Sequence, residues 1–130
     1  MGIPAPPESE KVKIIPLSSC DEFIAGDQTR LREILHPDKA SLALGYSLAH
    51  ASLEPGNTSS LHRLSTSEVY YILKGRGNME IDCKTREVGV GDTIYIAPSS
   101  TQRITCLGPE ILEFLCIVDP AWRPEDEEIL

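Results

Sequence analysis

Basic residues are scarce in this chain, and their scarcity excludes one large class of partner. The 130 residues include 12 Lys and Arg against 20 Asp and Glu, for a formal net charge of −8. A nucleic-acid-binding domain needs a basic stripe or patch. The densest basic pair here, Arg30 and Arg32, is flanked by Asp27 and Glu33. We therefore expect no nucleic-acid partner.

Long apolar runs and closely spaced cysteines are also missing. No apolar stretch approaches the roughly 20 residues of a membrane helix, and residues 1–11 contain no apolar signal core. The cysteines, which are Cys20, Cys83, Cys106 and Cys116, show no CxxC spacing of a metal finger or redox site. These features predict a cytoplasmic protein with reduced thiols and no membrane partner.

Turn-forming residues, in contrast, are abundant and evenly spread. Ten prolines and nine glycines separate short runs rich in β-branched and aromatic residues. From residue 41 onward these runs recur every 8–12 residues or so, which is typical of a sandwich or barrel. In the run 42–49, large residues alternate with small ones, which predicts a strand with one face of each kind. We predict a single all-β domain.

Three segments are predicted along the chain. Residues 1–10 are proline-rich and polar, and we expect a flexible N-terminal tail. Residues 11–120 form the barrel domain, whose N-terminal region is irregular apart from one helical turn within residues 18–23. Residues 121–130 carry the acidic run Glu125 to Glu128, which predicts a solvated C-terminal tail. Trp122 would anchor that tail to the barrel or to a partner chain.

Two stretches have the spacing of a known pair of motifs. The first reads Gly56-NTSSL-His62-Arg-Leu64-STS-Glu68-VYYILK-Gly75. The second reads Gly91-DTIYI-Ala97-Pro98-Ser99-Ser-Thr-Gln102-RIT-Cys106. They resemble the two signature motifs of the cupin superfamily, and the resemblance extends over a motif core at residues 41–118. It implies a double-stranded β-helix, the jelly-roll barrel.

The resemblance also implies a metal site, but several motif positions are changed. The family's ligands are three histidines and one glutamate, and the positions that carry over are His62, Glu68 and Gln102. Leu64 stands where the second histidine belongs and cannot coordinate an ion, and Ser99 replaces a glycine of the second motif. Imidazole with oxygen donors suits Zn, Mn, Fe or Ni. Both a divalent metal site and a metal-free ligand site are consistent with these residues.

Alternation along the strands predicts a pocket without reference to the family. Residues two apart point to the same face of a strand. If the motif faces line one barrel, a few polar groups converge among apolar ones, as in a small-ligand site. A carboxyl group there needs a metal, a cation or a hydrogen-bond donor, and without a metal we expect hydrogen bonds or a raised pKa. The paired positions are His62 and Leu64, Glu68 and Tyr70, and Gln102 and Ile104.

The other two histidines have alternative interpretations. His50 is in phase with Tyr46 and Leu48 on the large-residue face. It either enters the pocket in place of the missing ligand or ends a strand. His36, just before Pro37, is either a turn residue or part of a basic group that meets an anion or a neighbouring subunit.

The resemblance leaves three functions open. One is a metal-dependent oxygenase or isomerase, in which His62, Glu68 and Gln102 hold the ion and Tyr70 or Glu68 assists proton transfer. Another is a non-catalytic cupin that binds a sugar or other metabolite without metal. The third is a structural dimer with a packed core. The fold selects no reaction or substrate.

The resemblance also implies a homodimer. Similar single-domain cupins exchange N-terminal strands between subunits, and residues 11–35 would supply such a strand here. Covering an exposed sheet edge gives this exchange a physical reason.

Overall fold

The structure, a computed structural model, describes residues 13–40 and 42–130, so the predicted tail at 1–10 lies outside the described residues. Strands dominate, joined by short turns and by two 3₁₀ turns at Leu17–Ser19 and Pro124–Asp126. No helix in the described ranges is long and apolar enough to cross a membrane. The strands are β1 (Glu22–Ile24), β2 (Arg30–Leu35), β3 (Ser47–Leu53), β4 (His62–Leu64), β5 (Ser67–Lys74), β6 (Arg76–Ile81), β7 (Lys84–Gly89), β8 (Thr93–Ile96), β9 (Gln102–Cys106), β10 (Leu112–Asp119) and β11 (Glu127–Ile129).

The strands form two antiparallel sheets that enclose one core. Their orders are β1-β2-β3-β10-β5-β8 and β11-β4-β9-β6-β7. Non-sequential neighbours such as β3, β10 and β5 are typical of a jelly roll, and the predicted all-β barrel is confirmed. Phe114, Ile72 and Leu112 on one sheet meet Ile104 and Met79 on the other in the buried apolar cluster.

Strand β3 presents its small side chains to the interior. Ser47, Ala49 and Ala51 border the interior cavity, whereas Tyr46, just before the strand, is exposed. Small side chains here leave space that large ones would fill. The expected division into two faces is present, but the large-residue face points away from the cavity.

The motif glycines occupy tight turns. Gly75 joins β5 to β6 with φ +82°, and a Cβ atom there would lie 2.5 Å from the carbonyl oxygen of Ile111. A glycine is therefore required for both conformation and space. Ser99, at the position where the second motif has glycine, also has a positive φ of 68°. This residue takes a left-handed conformation that costs free energy for any side chain.

The N-terminal region folds onto its own barrel. Between residue 13 and β1 the helical structure is limited to Leu17–Ser19, and the chain then extends into β1, which pairs with β2 as a hairpin. Strand β2 continues the sheet against β3 of the same chain. We expected this segment to cross between subunits. In this structure it instead completes the sheet of its own chain.

The C-terminal segment is a strand and not the predicted solvated tail. Strand β11 pairs with β4, so that Glu127 lies opposite Leu64 and Ile129 opposite His62. The backbone N–H of Leu130 continues the ladder by donating to Leu61. Strand β4 would otherwise be an open sheet edge, and pairing satisfies its backbone groups. The acidic run could not reveal this because its partner strand lies about 60 residues away.

Candidate functional site

One cavity lies inside the barrel between the two sheets. Its volume is about 210 Å³, and its walls are mostly apolar. Phe23 comes from β1, Leu31 from β2, and Phe114 and Val118 from β10. The side chains with functional chemistry that line it are Asp27, Glu33, Lys39, His62, Glu68, Tyr70, Cys116, Trp122 and Glu127.

A chain of hydrogen bonds crosses from one sheet to the other at this cavity. The Tyr70 hydroxyl donates to Oε1 of Gln102 at 2.9 Å, and Nε2 of Gln102 donates to Oε1 of Glu68 at 3.0 Å. Tyr70 and Glu68 are on β5, whereas Gln102 begins β9 of the other sheet. All three side chains are buried. The amide thus satisfies one oxygen of the carboxyl group and orients it.

Glu68 holds its proton far more tightly than an exposed glutamate. The pKa of Glu68 is raised from 4.5 to about 8. Burial is the largest cause, the Gln102 hydrogen bond opposes it, and the nearby carboxylates of Asp27 and Glu127 add to it. Near neutral pH the carboxyl group is therefore mostly protonated. A protonated carboxyl inside a cavity can donate a hydrogen bond or a proton to a ligand.

His62 is oriented with one ring nitrogen free for a ligand. Nδ1 lies 2.7 Å from the carbonyl oxygen of Ser60, which fixes a proton on Nδ1. Nε2 lies 3.7 Å from Oδ2 of Asp27, beyond hydrogen-bonding distance. His62 is only 2% exposed. In the neutral ring Nε2 is a lone-pair acceptor, and Asp27 is placed to stabilise the ring when Nε2 gains a proton.

Asp27 is held in place by its own hairpin. Oδ1 of Asp27 accepts two hydrogen bonds from Thr29, one from the backbone N–H at 3.1 Å and one from the side-chain hydroxyl at 2.7 Å. This is the side-chain turn that aspartate commonly makes with the residue two positions on. The backbone carbonyl of Asp27 also accepts from the N–H of Ser60, beside His62. The β1–β2 hairpin therefore brings its carboxylate to the cavity.

Glu127 reaches the same cavity from the C-terminal strand. Nε1 of Trp122 donates to its Oε2 at 2.8 Å. Its Oε1 lies close to Gly26, where an added Cβ would be 2.9 Å away. Gly26 thus leaves room for the Glu127 carboxylate next to Asp27. Trp122 does anchor the C-terminal segment, since its backbone N–H also bonds to Ser47.

The remaining reactive groups at the cavity are less suited to chemistry. Burial raises the pKa of the Cys116 thiol well above its usual value, and Glu68 and Asp27 add to the shift. Cys116 therefore stays a thiol and is a poor nucleophile. Lys39 is largely exposed and forms an ion pair with Glu33 at 2.6 Å, which places this pair at the cavity entrance.

The structure gathers some of the predicted site residues and separates others. His62, Glu68, Leu64 and Tyr70 line the cavity, and Gln102 contacts Glu68 behind it. Ile104 does not line the cavity but lies in the apolar cluster beyond it, 1% exposed.

The two other histidines lie outside the cavity. His50 was open to two interpretations, entry into the pocket or the end of a strand. It lies within β3 on the face that points away from the cavity, with its Nε2 3.0 Å from Oε1 of Glu113, so it does not enter the pocket. His36 is a turn residue, with Nε2 2.6 Å from the carbonyl oxygen of Trp122 and Nδ1 accepting from the N–H of Asp38.

The implied metal ligands do not fit a metal ion as they are arranged. Gln102 turns its amide nitrogen towards Glu68, and its oxygen already accepts the Tyr70 hydroxyl. Leu64 supplies no donor. Within residues 13–40 and 42–130, no group of three or more His, Cys, Asp or Glu side chains is placed to hold an ion.

Sequence reasoning missed the two carboxylates that complete the site. Asp27 lies in a hairpin loop and Glu127 in an acidic run, and both looked like solvated surface residues. Which loop folds over the cavity depends on strand pairing that has no local signal in the sequence.

Comparisons with known proteins agree with this architecture. Residues 49–118 match the family described as the Cupin domain. An uncharacterized protein of Methanocaldococcus jannaschii is 42% identical over 109 residues, or 83% of this chain and 86% of that protein.

Solved structures show the same fold at low identity. A predicted oxalate decarboxylase from Thermotoga maritima has a TM-score of 0.74 at 21% identity, covering 83% of this chain and 99% of its own. Pac13 of Streptomyces, a nucleoside dehydratase, has a TM-score of 0.75 at 16% identity, covering 92% of both chains.

Proposed function

The chain belongs to the Cupin domain family, and we propose that its cavity binds a small organic molecule and moves protons on it without a metal ion. Glu68 is the proton donor and His62 the proton acceptor. The observation that carries this proposal is the Glu68 carboxyl, buried at the cavity wall and hydrogen-bonded by Gln102; this burial raises the pKa of Glu68 to about 8. Strongly perturbed acids in cavities mark functional sites more often than chance.

An acid and a base facing one cavity support elimination of water from a hydroxylated substrate. Nε2 of His62 takes a proton from carbon, a carbon–carbon double bond forms, and the hydroxyl leaves with the proton of Glu68 as water. Asp27 stabilises the resulting imidazolium, which is 3.7 Å from its Oδ2. Return of a proton from His62 to Glu68 restores the starting state.

The cupin fold is compatible with this class of reaction. Pac13, which shares the fold, is a nucleoside dehydratase, and RemF of Streptomyces resistomycificus, with a TM-score of 0.73 at 20% identity, is a polyketide cyclase. At such identities the fold alone is shared, so our assignment rests on the groups in the cavity.

A binding function without catalysis is the second candidate. It is favoured by the walls of the cavity, where apolar residues such as Leu31, Leu64 and Phe114 surround a few polar groups. In that case Glu68 donates a hydrogen bond to a metabolite and no proton is transferred.

We also propose that the protein is a cytoplasmic homodimer. Strand β1 is at the edge of the six-stranded sheet, with Phe23 and Ile24 exposed there. A second copy would cover this edge. The four cysteines are free, as a reducing compartment requires. Sedimentation that gives only the 14.3 kDa monomer would refute the dimer.

The experiment for the catalytic proposal is a substrate screen in the presence of a chelator. Nucleosides and other small hydroxylated metabolites are incubated with the protein, and mass spectrometry detects products that have lost one water. We expect turnover by the wild type and a loss of about a hundredfold or more in Glu68→Gln.

A matched control is Glu87→Gln, which changes an exposed carboxylate that pairs with Arg76 outside the cavity. It should keep full activity. Turnover that requires an added metal, or that survives in Glu68→Gln, would refute metal-free acid catalysis. Binding without turnover would favour the second candidate.

A further inference from the structure

Negative charge at the cavity is not balanced by its own basic residues. Lys39 is the only Lys or Arg lining the cavity in the described chain, and it is paired with Glu33 at the entrance. Two further carboxylates, Asp27 and Glu127, therefore face the interior, and apart from Lys39 the one basic side chain that lines the cavity among the described residues is His62.

Acceptor atoms also outnumber donors there. Oδ1 of Asp27 and Oε2 of Glu127 have donors, from Thr29 and Trp122. Among the described residues, Oδ2 of Asp27 and Oε1 of Glu127 accept no hydrogen bond from a protein group. Nε2 of His62, on a side chain 2% exposed, is likewise without a hydrogen-bond partner and faces Asp27. Asp27 and Glu127 are half-buried and His62 is buried, and a ligand inside the cavity would offer these acceptors the donor that the protein does not.

The walls beside these carboxylates are aromatic. Trp122, which holds Glu127, and Phe23 of β1 both line the cavity. Rings of this kind attract a cation as well as covering apolar surface. A cavity of about 210 Å³ accommodates a ligand of roughly ten non-hydrogen atoms.

We propose that the ligand of this cavity is a small organic ammonium ion, whose N–H groups bond to Asp27 and Glu127 beside the rings of Trp122 and Phe23. An ammonium group has three donors and no acceptor, which suits the free acceptor atoms. This inference rests on the proposed function for the site, since it names the substrate class: a hydroxylated amine, with its hydroxyl directed to Glu68.

The test compares two probes of one shape, benzylamine and benzyl alcohol, by isothermal titration near neutral pH. We expect the amine to bind the wild type about tenfold tighter or more, since hydrogen bonds to charged groups are the stronger ones. Equal affinities, tighter binding of the alcohol, or no measurable binding of either probe would overturn the inference.

Variants of the two cavity carboxylates test whether they cause the preference for the amine. Glu127→Gln and Asp27→Asn preserve the size of the side chain. Each should weaken the binding of benzylamine by about tenfold and leave the affinity for benzyl alcohol unchanged. The matched control is Glu128→Gln, one residue along, where the exposed carboxylate pairs with Arg63. A preference for the amine that persists in both cavity variants would overturn the proposal. Thermal melting verifies that each variant is folded.

The ligand class and the proton-transfer function can fail separately. If Glu68→Gln keeps the preference for the amine, the ligand class holds whether or not Glu68 is a catalytic acid. If the wild type dehydrates neutral substrates and shows no preference for the amine, the ligand class fails and the acid–base function remains.

Discussion

Nε2 of Gln102 lies 3.0 Å from Oε1 of Glu68, and this contact joins the two sheets across the barrel interior. The family's pattern has histidine at the position of Gln102. Here the residue acts as a hydrogen-bond donor to the glutamate and as an acceptor for Tyr70. At two positions where the family's motif has metal ligands, this chain has a hydrogen-bonded pair. The proposed chemistry of the site therefore depends on whether Glu68 carries a proton.

Replacement of Glu68 by glutamine should stabilise the fold at alkaline pH. The pKa of Glu68 is raised from 4.5 to about 8 in the folded protein, chiefly by burial. At pH values between these two, the folded chain therefore holds a proton that the unfolded chain has released. The stability contributed by this group is complete below the lower value and is lost as pH rises through the upper one.

Glutamine has no such proton. We expect the free energy of unfolding of Glu68→Gln, relative to wild type, to increase by about 4 kcal/mol between about pH 5 and pH 9. Urea unfolding at each pH measures it. A constant difference across this range would contradict a raised pKa.

Loss of the Gln102 side-chain amide should cost more than loss of the Tyr70 hydroxyl. Gln102→Leu leaves both the phenol and the carboxyl group buried without this partner, and we expect a loss of about 2–4 kcal/mol. Tyr70→Phe removes one hydrogen bond and keeps the ring, so about 1 kcal/mol is expected. Equal effects of the two changes in chemical denaturation would show that the amide does not couple the two groups.

Glycine at position 99 should stabilise the protein. Ser99 has a φ of 68°, and a side chain in this left-handed region costs about 1–2 kcal/mol. Glycine avoids that cost but loses more backbone entropy, so we expect Ser99→Gly to gain about 0.5–1 kcal/mol. Ser100→Gly, at the next position, is the control and should not stabilise. A lower melting temperature for Ser99→Gly would refute the strain.

Divalent metals should not stabilise the wild type. Because Gln102 presents nitrogen to Glu68 and Leu64 offers no donor, we expect no rise in melting temperature with Zn, Mn, Fe or Ni. Elemental analysis of protein purified without a metal-affinity tag should find far less than one ion per chain. About one ion per chain, lost in both His62→Ala and Glu68→Ala, would contradict this expectation.

The barrel was predictable because its signals are local. Alternation, β-branched runs and turn residues recur along the sequence, and motif glycines such as Gly75 mark positions where only glycine fits. The same alternation brought His62, Glu68 and Gln102 towards one interior, since the period of a strand fixes which side chains share a face.

What the sequence could not predict depends on pairing between distant segments. Alternation divides β3 into two faces but does not say which one is inside, so it left open whether His50 enters the pocket. Asp27 enters the site because β2 of its hairpin pairs with β3, and Glu127 because β11 pairs with the distant β4. Neither residue has a local pattern that distinguishes it from a surface carboxylate.

Protonation of Glu68 is the central claim, and infrared difference spectroscopy tests it most directly. The carbonyl stretch of a protonated carboxyl is compared at about pH 6 and about pH 10 in the wild type and in Glu68→Gln. We predict one protonated carboxyl at the lower pH, lost as pH rises through about 8 and absent from the variant. If the wild type shows no protonated carboxyl at the lower pH, Glu68 is ionised in the folded protein and the acid–base account is wrong.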